Sequence, residues 1–235
     1  MSEHGTADLT PPGAQAADGP AADPNPAAAV APTLAPAAPG FAHSRPVDWN
    51  EATWLNPPAT VTRLDNALVV TTQPNSDFWR TTSYGFINDN GHSLLTPLPV
   101  GSSVEVSFVP DFSNQFDQAG VVIRVDERTW IKAGVEFADG LPQLGAVVTR
   151  EVSDWSTAPV PSWAGRAVTI RASRNGDAVT IRARRDEEPW QLVRLAPLSP
   201  DAEAGAGPFC ASPGAQDLTV CFTRFVVGPP DAALH

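Results

Sequence analysis

Hydrophobic residues along this chain alternate with polar ones far more often than they recur at helical spacing. In SVEVSFV, 103–109, Val104, Val106 and Phe108 fall on one side and Glu105 and Ser107 on the other. That two-residue period is the mark of a strand with one buried face. DLTVCF, 217–222, repeats it with Leu218, Val220 and Phe222, and ALVVTT, 67–72, is a β-branched run bounded by Asn66 and Pro74. From Arg45 onward such runs recur about every ten residues, separated by Gly, Pro, Asn and Asp. No segment sustains a 3.6-residue apolar period. One-sided strands without helices to cover them must pack sheet on sheet, so the pattern predicts an all-β sandwich of about a dozen strands. The absence of an internal repeat argues against a propeller.

Turn chemistry sharpens three pairings. In AVTIRASRNGDAVTIRAR, 167–184, Asn175-Gly176 suits a two-residue type I′ turn. It predicts Arg174 opposite Asp177, Ala172 opposite Val179, Ile170 opposite Ile181 and Val168 opposite Ala183. A second Asn-Gly, Asn90-Gly91, predicts a hairpin pairing Asp89 with His92 and Ile87 with Leu94. Between QAGVVIRV, 118–125, and TWIKAGVEF, 129–137, a three-residue connection at 126–128 predicts Arg124 across from Lys132 and Gly120 across from Glu136. A two-residue connection would turn the arginine to the other face.

The first 44 residues are different material. Half are Ala or Pro, with four acids (Glu3, Asp8, Asp18, Asp23) and no Lys or Arg. Such a segment buries too little surface to offset its ordering entropy, so 1–44 is expected to be a disordered tail. The β domain is expected over 45–228, with a short tail at 229–235. Net charge is −11 for the chain. This disfavours both a general nucleic-acid binder and docking on an anionic membrane surface, so neither partner is expected. There is no run of roughly eighteen apolar residues and no basic-then-apolar leader, so a cytoplasmic location is expected. Cys210 and Cys221 are then expected to be reduced.

The candidate chemistry centres on Lys132, the only lysine; the other fourteen basic side chains are arginines. In its strand, Ile131, Ala133, Val135 and Phe137 share one face, and Trp130, Lys132, Gly134 and Glu136 the other. Gly134 leaves a gap where a ligand could approach the backbone. Trp130 would supply an aromatic platform, and Lys and Glu would meet hydroxyls. The plainer alternative is a solvent-facing strand with a weak Lys–Glu pair. A second constellation is DFWRTTSYGF, 77–86, with Asp77, Arg80 and Tyr84, the only tyrosine; its plainer reading is an aromatic core strand. A third is DQAG, 117–120, with Asp117 and Gln118. A fourth is SDWS, 153–156, where Asp154 would form a turn that seats Trp155. The four histidines are scattered, so neither a metal site nor a Ser-His-Asp arrangement is expected.

DFWRTTSYGF, DQAG, WIKAGVEF, VVTREVSDWS (147–156) and CASP (210–213), in this order, resemble an uncharacterised domain family of the concanavalin A-like lectin/glucanase superfamily, the regulation-of-enolase-like proteins. The resemblance runs from about Trp49 to Phe225. It implies a jelly-roll β-sandwich of two antiparallel sheets and no established reaction; no cofactor is expected from the residues. Thr81 stands where the family pattern leads one to expect a basic residue, which weakens the case for a cationic pocket beside Arg80.

Glucanases of this fold place carboxylates on alternate residues of one strand, and no strand here does so. A cross-strand pair, Glu136 with Asp117 or Asp154, is the remaining route to a glycoside hydrolase. The reading favoured by the residues is a non-catalytic binding domain for a carbohydrate or sugar-derived small molecule, held around Asp77, Arg80, Tyr84, Asp117, Gln118, Trp130, Lys132, Glu136, Asp154 and Trp155. An adaptor that binds a metabolic enzyme is the alternative.

Overall fold

The computed structural model describes residues 40–234, so the expected tail lies outside the described residues up to 39. Among the described residues seventeen strands form, more than the dozen expected, because short edge segments pair as well. In chain order they begin with β1 (Arg45–Pro46), β2 (Thr53–Leu55), β3 (Thr60–Leu64), β4 (Ala67–Thr71), β5 (Phe78–Arg80) and β6 (Ile87–Asp89). Next come β7 (His92–Pro97), β8 (Ser102–Phe108), β9 (Gln118–Arg124), β10 (Thr129–Ala138), β11 (Leu141–Arg150) and β12 (Val152–Pro159). The last are β13 (Val168–Asn175), β14 (Ala178–Arg185), β15 (Gln191–Pro197), β16 (Gly205–Ala211) and β17 (Thr219–Gly228).

Two large antiparallel sheets form the expected sandwich. One runs β15-β14-β13-β8-β17-β4-β3, with β1 on β17; the other runs β12-β11-β10-β9-β16-β7-β2. Alternation fills the space between them. Val104, Val106 and Phe108 point inward from β8, and Ile131, Ala133 and Val135 from β10, into one apolar core. On the far side of β8, Glu105 accepts hydrogen bonds from Arg171 at 2.7 Å and Arg224 at 3.0 Å. Beyond β17, the Asp231 carboxylate takes both Arg171 and Arg182.

The faces follow the sequence pattern, but three registers differ from expectation. In the β13–β14 hairpin Asn175 pairs with Ala178 and Ala172 with Ile181. The turn is therefore Gly176-Asp177, not Asn175-Gly176. Gly176 sits at φ +58°, and glycine at the first central position suits a type II′ turn. Arg124 pairs with Trp130, not Lys132; Gly120 faces Gly134, and Gln118 faces Glu136. The connection does have three residues, and Val125 N–H closes it on the Thr129 carbonyl at 3.0 Å. With three residues between them Val125 must face Thr129 and Arg124 must face Trp130, so a loop of this length gives the observed ladder and not the expected pairing of Arg124 with Lys132; the same side chains still share a face.

The third expected hairpin does not form. β6 pairs with β5, and β7 joins the large sheet beside β16. Asn90 and Gly91 N–H instead both donate to the Asp77 carbonyl, at 3.0 and 2.8 Å. A side chain at 91 would lie 2.6 Å from the Phe78 ring, so this glycine serves a close approach to an aromatic.

Candidate functional site

The outer face of the second sheet carries its own small core: Phe78, Trp79, Val122, Trp130, Val147 and Phe209. The β5–β6 hairpin lies over it. Phe78 packs on Trp130 with ring centroids 5.9 Å apart. Arg124 holds Asp89 through both guanidinium nitrogens and stacks on the Phe78 ring. Ser153 hydroxyl accepts the Arg80 N–H at 2.9 Å. The hairpin is thus pinned at both ends, and its loop is left to wall a cavity.

That cavity measures about 320 Å³ and is lined by Asp77, Trp79, Tyr84, Phe86, Asn88, Phe116, Gln118, Lys132, Glu136, Trp155 and Pro213. Its floor is polar. Lys132 Nζ donates to Asp77 Oδ1 at 3.0 Å, and both side chains are nearly enclosed. The same oxygen accepts Phe78 N–H at 2.7 Å and Gln118 Nε2–H at 3.3 Å. Burial of two charges together requires this density of donors. Glu136, four residues along β10, is partly buried, and its Oε1 is enclosed without a hydrogen-bond partner. Burial pushes its carboxyl up to about 7; nearby Lys132 opposes this and nearby Asp77 adds to it.

The walls are aromatic. Trp79 stands nearly edge-on to Tyr84 (69°, 5.6 Å) and to Trp155 (88°, 6.4 Å), and Tyr84 stacks on Phe86 at 5.5 Å. Trp79 Nε1–H donates to the Thr82 carbonyl at 3.0 Å, which fixes the ring. The 81–86 loop folds tightly, with positive φ at Thr81, Ser83 and Gly85, and it projects Tyr84 and Phe86 to the rim.

Six of the sequence-derived residues meet here: Asp77, Tyr84, Gln118, Lys132, Glu136 and Trp155. The other four lie elsewhere. Trp130 is fully buried beneath the hairpin, with its Nε1–H unpartnered, and so forms packing, not an open platform. Arg80 reaches outward to the Glu151 and Glu127 carbonyls. Asp117 is buried, accepting from Asn114 and from Ser212 at 2.8 Å. Asp154 pairs with Arg194 at 2.9 Å and sits inside β12, so the SDWS turn is not formed; the reversal falls at Glu151, at φ +63°. The carboxylate that shares the cavity with Glu136 is Asp77, not Asp117 or Asp154.

Two further expectations change. Lys132 pairs with Asp77, not with Glu136 along its own strand. Gly134 faces Gly120 on one side and Gly145 on the other, and a Cβ at 134 would meet the Ala119 carbonyl oxygen at 2.0 Å. The glycines let strands close on one another; the room for a ligand lies beside them, over Asp77 and Glu136. Sequence reasoning missed Trp79, Phe86, Asn88, Phe116 and Pro213 as lining. Trp79 and Phe86 lie in the same stretch as Tyr84, so the aromatic density of 78–86 is the signal that could have found them. Cys210 and Cys221 are both free thiols. Among the described residues no helix is long and apolar enough to cross a membrane.

The sequence profile of a family described as Protein of unknown function (DUF1349) matches residues 54–230. The chain is 34% identical over 193 residues to Regulation of enolase protein 1 from Saccharomyces cerevisiae, covering 82% of this chain and 97% of that protein. A solved structure of a functionally unknown protein from Saccharomyces cerevisiae superposes with a TM-score of 0.74 at 32% identity, over 79% of this chain and all of that one. A xylan β-1,4-xylosidase from Bacillus halodurans superposes with a TM-score of 0.55 at 12% identity, over 72% of this chain and 38% of the enzyme. That likeness is one of fold alone.

Proposed function

This chain belongs to the DUF1349 family of proteins of unknown function, and from its own pocket we propose that it is a non-catalytic binding domain for a carbohydrate or sugar-derived small molecule. The observation that carries this is the pairing of an aromatic wall with a polar floor in one cavity of about 320 Å³. Sugars present C–H faces that pack on rings and hydroxyls that need directed partners, and pockets of this size enclose small molecules. Asn88, Gln118 and Glu136 supply such partners along the lining.

Binding is favoured over cleavage because glycoside hydrolysis needs two carboxyl groups free to act. Asp77 is committed to Lys132, Phe78 N–H and Gln118, which leaves Glu136 alone. The test is calorimetric titration with glucose, xylose and N-acetylglucosamine. Saturable binding by the wild type, lost in Trp155→Ala, supports the reading. No saturable binding to any of them at sugar concentrations up to roughly 10 mM, well above ordinary weak binding, would overturn it for a folded sample.

A second reading rests on the rim. Tyr84, Phe86 and Ile87 are large, apolar and about half exposed, and they lie together on the hairpin that covers the sheet. Such a cluster suits a protein partner, and the name of the yeast relative concerns regulation of enolase. On this reading the domain acts as a regulatory adaptor for a metabolic enzyme. Surface plasmon resonance against enolase should then show binding that Phe86→Ser weakens; equal responses from both proteins would count against it.

A further inference from the structure

The floor of the pocket carries an imbalance of charge and of hydrogen bonds. Lys132 and Asp77 form an ion pair at 3.0 Å, so the charge of the ammonium is offset by that carboxylate. Glu136 is left over. One of its oxygens is enclosed without a donor, and no cation besides Lys132 lines the cavity. With Glu136 ionised, the three groups sum to −1. The chain adds to this, at −11 overall. An unpaired carboxylate in an enclosed site is unfavourable, and it is relieved by a donor that also carries positive charge. The walls favour the same guest. Trp79, with Tyr84 and Trp155 set nearly at right angles to it, forms an aromatic corner, and ring faces attract cations.

We infer that the sugar held in this pocket carries a protonated amino group, which donates to Glu136 and sits against Trp79, Tyr84 and Trp155. The inference rests on the carbohydrate reading above and narrows it to amino sugars. It also excludes phosphorylated and uronic sugars, despite the lysine in the floor, because Asp77 has already taken the lysine's charge.

Three sugars of one skeleton separate the possibilities. Glucosamine carries the charged amine, glucose lacks nitrogen, and N-acetylglucosamine has the amine neutralised. Titrated into the full-length protein at neutral pH, glucosamine should bind about tenfold or more tighter than either, given the usual size of cation–π and charge-assisted contacts. Glu136→Gln should fold and should bring glucosamine down to the level of glucose. Should glucose or N-acetylglucosamine bind as tightly as glucosamine, the amino-sugar inference is wrong while the carbohydrate reading stands. Should none of the three bind, the carbohydrate reading fails and takes the inference with it. A preference for glucosamine that survives Glu136→Gln would also overturn the inference.

Discussion

The perturbed carboxyl of Glu136 makes a stability prediction that needs no ligand. Its pKa is raised from 4.5 to about 7 in the folded protein, chiefly by burial. Below pH 4.5 the carboxyl is protonated in both folded and unfolded chains and contributes nothing. Between 4.5 and about 7 the unfolded chain loses this proton while the folded protein keeps it. Folding then becomes less favourable as pH rises, by about 1.4 kcal/mol per pH unit. Above about 7 the penalty is complete, at roughly 3 kcal/mol. Glu136→Gln removes the charge and keeps the shape, so it should stabilise the protein by up to about 3 kcal/mol near pH 8 and by little near pH 4. Urea unfolding of both proteins from pH 4 to pH 8 measures the difference directly. His92 titrates in an overlapping range with the opposite sign, because burial lowers its pKa, but it is present in both proteins and cancels. A difference that does not change with pH, or a glutamine variant less stable at pH 8, would refute the assignment of Glu136 as an enclosed, unpaired acid.

Other outcomes follow from the same geometry. Lys132→Met leaves the nearly enclosed Asp77 carboxylate without its counter-charge and should cost about 3–5 kcal/mol; adding Asp77→Asn should recover much of it, as denaturant titration of the three variants will show. Gly134→Ala drives a methyl toward the Ala119 carbonyl of a paired strand. It should lower stability by about 2 kcal/mol or more, read as a drop in Tm. Burial pushes the Cys210 thiol far up, whereas Cys221 is only partly buried, so a thiol reagent should label at most one cysteine in the native protein and two in denaturant.

The sandwich was legible because alternation is local: each strand declares its buried face within five or six residues, as β8 and β10 do. The same rule placed Lys132 and Glu136 on the outer face. Registers were less legible. Gly176-Asp177 and Asn175-Gly176 are both acceptable turns, and only the pairing of the whole hairpin chooses between them. The partner of Lys132 was hidden for a different reason. Asp77 lies 55 positions away, and it reaches the lysine only because the β5–β6 hairpin folds over the sheet. Nothing in the 77–86 pattern announces that placement, although its aromatic density announces burial. Gly134 misled because a missing side chain reads the same whether a ligand or a neighbouring strand fills the space.

The most direct test of the pocket is a pair of nuclear magnetic resonance titrations that follow the seven tryptophan indole N–H signals as glucose and glucosamine are added. Trp79 and Trp155 line the cavity, whereas Trp163 lies in the main core and Trp190 beside Arg184. The account predicts that the signals of Trp79 and Trp155 move saturably while those of Trp163 and Trp190 stay fixed. Movement confined to tryptophans outside the cavity, or none with either sugar, would contradict it.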